Sequence, residues 1–139
     1  MSGETNLAIL LKSMNAVLRD EEYVFCSVDR HDHSYLKLDP TCIFYEDEGL
    51  TLIVQRDRAD AAEISYPSIF RMVTLSIHSS LDAVGFLATI TSKLAKHGIS
   101  VNPVSAYYHD HLFVPAARAG EVMKLLREFS TDRFNVYSS

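Results

Sequence analysis

The amino-acid sequence predicts an α+β fold of two units in tandem, in which antiparallel sheets carry helices on one face. Two observations predict this class. The second half has the element order strand-helix-strand-strand-helix-strand, and the first half has a similar order without its leading strand. With 139 residues, 47% of them apolar, the chain is long enough to bury a substantial core.

The first half begins with an amphipathic helix over residues 5–18, where apolar side chains recur at intervals of three and four residues. A charged turn at residues 19–21 then leads into a predicted strand at 23–28, which is rich in β-forming residues. The polar residues 29–40 are expected to form a loop. The first unit is therefore atypical, because it opens on a helix.

A β-hairpin is predicted next. Its strands cover residues 42–45 and 50–55, and the turn Glu46–Gly49 joins them. Residues 56–63 are good helix formers and predict a short helix that closes this unit.

The second half is more regular. Its first strand alternates polar and apolar residues, which predicts that only one face is buried. Gly98 is expected to end the first helix in a left-handed conformation, and a tight turn is expected at 109–111. The predicted elements are strand 70–78, helix 81–97, strand 99–108, strand 112–115, helix 117–129 and strand 133–137. This order is the ferredoxin-like, split βαβ arrangement.

The best domain boundary is the turn-forming segment Ser65–Ser68. It divides the chain into an atypical first unit, residues 1–66, and a second unit, residues 67–139. The final strand, 133–137, either completes the second unit or pairs with the first.

Residues 75–115 resemble the ACT domain, a small ligand-sensing module. The resemblance rests on Val84–Ala88 at the start of a helix and on Lys96–Asn102 leading into the next strand. This stretch is similar to the regulatory region of aspartokinases, and the whole chain to small stand-alone proteins with two ACT units in tandem. The resemblance implies a homodimer of paired units that bind an amino acid or a related effector at an ACT–ACT interface, as a non-catalytic regulatory module.

The start of the predicted helix can be argued as a ligand site on its own chemistry. The first backbone N–H groups of a helix have no acceptors within it and lie at the positive end of the helix dipole, which favours a carboxylate. A structural role is the alternative: the serines cap the helix, Gly85 allows close packing, Asp82 is a first-turn acid, and tyrosines cover the sheet. The predicted ligand-binding residues are Ser79, Ser80, Asp82, Val84, Gly85, Phe86, Leu87, Asn102 and Tyr107.

Composition excludes several other classes of function. Thirteen basic and eighteen acidic residues give a net charge of −5, which disfavours nucleic acid and anionic membranes as partners. No apolar run reaches the roughly 20 residues that span a bilayer. The N-terminal residues lack the basic start of a signal peptide, so we expect a cytoplasmic protein with reduced thiols at Cys26 and Cys42.

Histidines suggest a metal site, because His-Asp-His occurs at 31–33 and again at 109–111. Residues two apart on a strand share a face and can bind one ion together. Both triplets, however, fall in a predicted loop or turn, and a zinc site needs a third ligand. No metal site and no cofactor is therefore predicted. No nucleophile elbow or phosphate-binding loop is present either, so we do not expect an enzyme.

A second function stays open beside amino-acid sensing. Exposed edge strands of a ferredoxin-like unit offer direct pairing to another chain. The protein would then be an interaction or dimerisation module with a vestigial effector pocket. Neither the effector nor a downstream protein partner can be identified from these residues.

Overall fold

A computed structural model describes residues 3–77 and 85–131 of the chain. It confirms the α+β class and the antiparallel pairing of the strands. None of the described helices is long and apolar enough to cross a membrane. The helices are α1 (Gly3–Ser13), α2 (Arg56–Ala61), α3 (Phe86–Lys96) and α4 (Ala119–Thr131), and the strands are β1 (Asn15–Val28), β2 (Cys42–Tyr45), β3 (Leu50–Gln55), β4 (Phe70–Ser76), β5 (Asn102–Ser105) and β6 (Asp110–Pro115).

Residues 20–71 form one compact unit. Its strands lie in the order β2-β3-β1, and the register pairs Cys26 of β1 with Leu52 of β3. The predicted hairpin is confirmed, since Glu46 and Gly49 exchange backbone hydrogen bonds across its turn. The buried core of this unit consists of Val24, Cys26, Leu38, Leu50, Leu52, Val54 and Ala59.

Residues 3–19, 72–77 and 85–131 form the other compact unit. Its strands lie in the order β1-β4-β6-β5, and α1 packs against both α3 and α4. The buried core joins side chains from these helices and strands: Leu10, Leu11, Val73, Leu75, Phe86, Ile90, Leu94, Ile99, Leu112, Val114, Ala119, Val122, Leu125 and Leu126.

The two compact units of the structure do not coincide with the two units predicted from the sequence. Helix α1 and the first residues of β1 belong with residues 72 onward, because Leu10 and Leu11 are buried in the same core as α3 and α4. The boundary near residue 66, which separates the two tandem units in the sequence, stays a prediction. The final strand predicted at 133–137 lies outside the described residues.

The prediction for residues 14–21 was wrong. The helix ends at Ser13, and β1 runs without a break from Asn15 through the charged residues that had suggested a turn. The reason is packing: Ala16 and Leu18 pack against the core, whereas Val17 between them is 41% exposed. That alternation has the period of a strand.

One further prediction for the first unit is refined. The segment 29–40 is not a plain loop, because it contains a short 3-10 helix over His33–Leu38. Asp32 caps this helix by accepting hydrogen bonds from the backbone and hydroxyl of Ser34, which also lowers the pKa of the Asp32 carboxyl. The helix carries Leu38 into the core of its unit.

In the second unit, β4 is buried on both faces from Met72 to Leu75, so the prediction of one buried face was wrong. Thr74 tolerates this burial because its hydroxyl lies 3.1 Å from Nδ1 of His111. The hairpin turn was also misplaced: Ala106 donates a backbone hydrogen bond to His109 across it, and β6 already begins at Asp110. Gly98 is confirmed as the left-handed end of α3, with φ +71°.

Gly49 gives a direct test of packing in the hairpin. A Cβ there would lie 2.9 Å from Oγ of Ser27 and 3.1 Å from the carbonyl oxygen of Val28. We expect Gly49→Ala to lower the free energy of unfolding by about 1–3 kcal/mol, measured by denaturant unfolding. Gly120→Ala is the matched control, because nothing lies within 4 Å of its Cβ and alanine favours a helix. An equal loss in both variants would contradict the crowding at Gly49.

Candidate functional site

The start of α3 is open at its backbone. Gly85 holds the N-cap position with φ +85°, and no side chain of the described residues caps the helix there. The first intrahelical hydrogen bond runs from the N–H of Thr89 to the carbonyl of Gly85, 2.9 Å away. The N–H groups of Phe86, Leu87 and Ala88 thus have no acceptor within the helix. Four predicted site residues, Ser79, Ser80, Asp82 and Val84, lie outside the described residues.

The side chains of Phe86 and Leu87 serve the core rather than a ligand. Phe86 is 1% exposed and lies in the core with Ile90 and Leu94, and Leu87 packs against the same cluster. Only their backbone N–H groups are therefore available to a ligand. The buried ring of Phe86 fixes the first turn of α3 in place.

A groove begins at Gly85 and follows the outer side of α3. It has a volume of about 600 Å³. Gly85, Ala88, Thr89, Ser92, Lys93, Lys96, His97 and Phe129 line it. Among the described residues, Lys96 has no ion-pair partner and no carboxylate lines the groove. Its charge is therefore suited to an anionic group.

Lys93 is held in place in this groove. Its ammonium lies 2.8 Å from a carboxylate oxygen of Glu128 and 4.5 Å from the centre of the Phe129 ring. The hydrogen bond from Lys93 holds the pKa of the Glu128 carboxyl below its usual range. These contacts join α3 to α4 along the wall of the groove.

The structure does not bring every predicted residue to the helix start. Asn102 is the exposed first residue of β5 and pairs with Phe113 of β6. Tyr107 is 93% exposed in the hairpin turn, where its ring stacks edge-on against Tyr108 rather than covering a sheet. Among the described residues, neither Asn102 nor Tyr107 lines the groove.

Sequence reasoning missed the groove residues beyond Leu87. Thr89, Ser92, Lys93 and Lys96 follow Gly85 at intervals of three and four residues, so they share one face of α3. That spacing was readable in the sequence. The contribution of Phe129 was not, because it comes from a different helix.

A second cavity of about 510 Å³ lies within the unit of residues 20–71. Arg56 dominates it, with Nη1 2.9 Å from Glu22 and Nε 3.2 Å from the hydroxyl of Tyr66. Tyr66 in turn donates a hydrogen bond to Asp60. These partners raise the pKa of the Arg56 guanidinium, and the network ties the start of α2 to β1. We interpret this cavity as structural.

Comparison with known proteins identifies the family. Two ACT-domain models match the chain, one over residues 2–71 and the other over residues 68–128. The chain therefore belongs to the ACT-domain family and carries two ACT units in tandem. ACT domains are generally regulatory modules that sense amino acids.

Solved structures agree with this assignment. A Vibrio cholerae protein of unknown function, described as a possible transport protein, is 42% identical over 93% of this chain and 99% of its own, with a TM-score of 0.86. An Agrobacterium tumefaciens protein is 18% identical over 84% and 89% of the two chains, with a TM-score of 0.72. None of the curated proteins matches the chain.

Aspartokinase regulatory domains share the fold. The regulatory subunit of aspartate kinase from Thermus thermophilus, in its ligand-free form, covers 83% of this chain and 97% of its own with a TM-score of 0.58. Its identity is 10%, so it shows the fold alone. The resemblance to aspartokinase ACT domains seen in the sequence is confirmed at that level.

Proposed function

We propose that this chain is a non-catalytic, cytoplasmic regulatory module that senses an amino acid, with the start of α3 as the carboxylate site. The observation that carries the proposal is the groove that begins at Gly85, beside three N–H groups without acceptors in the helix. Membership of the ACT-domain family supports the ligand class.

The chemistry of the groove supports an amino acid held by its carboxylate. Backbone N–H groups at a helix start and the ammonium of Lys96 both attract a carboxylate. Glycine at position 85 leaves the backbone open to close approach. The ligand's own ammonium requires an acceptor, which an ACT unit of a second copy would supply in a homodimer.

Regulation follows if the ligand prefers one arrangement of the protein over another. A ligand changes an equilibrium only by its difference in affinity for the two states. A homodimer whose pairing depends on the bound amino acid would pass that difference to a protein partner. The module itself needs no catalytic group and no cofactor for this task.

A second function has an observation in its favour. Within its unit, β2 is the outer strand and pairs only with β3 among the described residues. It exposes Ile43, Phe44 and Tyr45 in succession, and Phe44 is 65% exposed. An apolar edge strand of this kind favours pairing with another chain. The alternative is therefore a dimerisation or protein-interaction module with a vestigial pocket.

Thermal unfolding of the tag-free protein against each of the twenty amino acids tests the proposal. One amino acid at 100 times its dissociation constant should add about 2.7 kcal/mol to the free energy of unfolding. That gain corresponds to a rise of several degrees in Tm for a chain of this size. Calorimetric titration then measures the stoichiometry and Kd of the amino acid that gives the rise. No rise with any amino acid would contradict sensing and favour the interaction module.

A further inference from the structure

Two histidines lie side by side at the start of β6, away from the groove on α3. The ring centres of His109 and His111 are 6.3 Å apart, and the ring planes are nearly perpendicular. His111 lies in β6 and His109 directly precedes the strand; both rings contact hydroxyl groups of β4, so they lie on the same face. Of the triplet expected in the turn, Asp110 and His111 lie in the strand, and His109 closes the turn.

Both imidazoles are held by the neighbouring strand. Nδ1 of His109 lies 3.2 Å from Oγ of Ser76, and Nδ1 of His111 lies 3.1 Å from Oγ1 of Thr74. Ser76 and Thr74 are themselves two positions apart on β4, so the two contacts repeat in register. Each ring is thus held through Nδ1, and in the described part of the chain neither Nε2 makes a hydrogen bond.

This arrangement matches the surroundings of metal-binding histidines. A histidine ligand usually donates its second ring N–H to a nearby acceptor, which fixes the tautomer and the ring orientation. A serine or threonine hydroxyl oxygen can accept that hydrogen bond. With Nδ1 protonated, Nε2 carries the lone pair that binds a metal ion.

We propose that His109 and His111 form a two-imidazole site for a divalent transition-metal ion, with Ser76 and Thr74 as positioning residues. Imidazole ligands suit nickel, copper and zinc rather than magnesium or calcium. Metal–nitrogen distances of about 2.0–2.1 Å place two ligand nitrogens at most about 4 Å apart. With ring centres 6.3 Å apart, the two outer nitrogens reach that separation when both rings turn to face each other.

Water would complete the coordination of the ion. Among the described residues, no group of three histidine, cysteine or acidic side chains could hold a metal. The site is therefore an exchangeable surface site, weaker than a structural zinc centre with four protein ligands. The proposal does not depend on amino-acid sensing by the groove.

A second His-Asp-His triplet in the chain serves as a control for the proposed site. His31-Asp32-His33 repeats the same three residues, but its side chains are exposed. The Asp32 carboxylate caps a 3-10 helix, and neither imidazole has a hydrogen-bonded partner in the part of the chain that the structure describes. We expect this triplet to bind metal far more weakly, because nothing orients its rings.

Calorimetric titration of the tag-free full chain with NiCl₂ tests the site. We expect one Ni²⁺ per chain, with MgCl₂ giving no binding. His109→Gln combined with His111→Gln should weaken Ni²⁺ binding at least tenfold, whereas His31→Gln combined with His33→Gln should leave it unchanged. Nickel binding that survives the first pair of substitutions, or is lost equally with the second, would overturn the proposal. So would the absence of nickel binding to the wild type.

The positioning role has a separate readout. Ser76→Ala should keep the stoichiometry of one Ni²⁺ but weaken the affinity by roughly tenfold, as for other groups that orient metal ligands. In NMR spectra, paramagnetic Ni²⁺ should broaden the imidazole signals of His109 and His111 before those of His31 and His33. Thermal unfolding without metal checks that each variant is folded. Equal broadening of all four signals would contradict an oriented site.

Discussion

We expect Gly85→Leu to abolish amino-acid binding while the protein still folds. Gly85 adopts φ +85°, so any side chain there costs about 1–2 kcal/mol of backbone strain. Among the described residues, its Cβ would make an ordinary contact at 3.7 Å with the side chain of Leu7. The leucine side chain would occupy the start of the groove and block approach to the helix N–H groups. The measurement is the amino-acid-dependent rise in Tm, followed by calorimetric titration.

Gly98→Leu is the matched control for this variant. Gly98 lies just beyond the opposite end of the same helix, also in the left-handed region with φ +71°, and nothing lies within 4 Å of its Cβ. It should lose a similar free energy of unfolding but bind the amino acid as the wild type does. If Gly85→Leu binds normally, the carboxylate site is not at the start of α3. If both variants lose binding, the loss reflects stability alone.

A second large effect is expected from a substitution that tests whether α1 belongs to the same unit as α3 and α4. Leu10 is buried with α3 and α4, so Leu10→Ala should lower the free energy of unfolding by about 2–4 kcal/mol. Native-state hydrogen exchange should locate the damage. We expect amides of α3 and α4 to exchange faster and amides of the β2–β3 hairpin to keep their wild-type rates.

Leu38→Ala gives the converse pattern. Leu38 is buried in the core of residues 20–71, so its truncation should accelerate exchange in β2 and β3. A division of the fold at residue 66 makes the opposite prediction for Leu10, because it assigns α1 to the same unit as the hairpin. Faster exchange in β2 and β3 of Leu10→Ala would therefore support that division and contradict the compact units.

The sequence predicts most elements of this fold where local patterns agree with packing. The structure confirms the hairpin with Gly49 in its turn, the short helix α2 and the end of α3 at Gly98. The prediction failed at residues 14–21. There Val17 and Leu18 continue the helical spacing of α1, and Arg19 to Glu21 resemble a surface turn. Pairing of β1 within the sheet overrides both signals, and only tertiary contacts could show it.

The candidate site was predictable only in part, for a similar reason. Gly85 and the backbone of the next residues followed from helix chemistry, since open N–H groups belong to every helix start. Tyr107 was misplaced because tyrosine favours strands, whereas Tyr107 and Tyr108 are the exposed central residues of the hairpin turn. The pairing of His109 with Ser76 depends on strand register, which the sequence does not specify.

During translation, the residues of one core are all present well before those of the other. Every side chain of the core within residues 20–71 has been translated once residue 71 is made. Leu10 and Leu11 must wait for Leu125 and Leu126, which at usual translation speeds takes on the order of ten seconds. Throughout that interval the nascent protein carries an apolar helix without its partners.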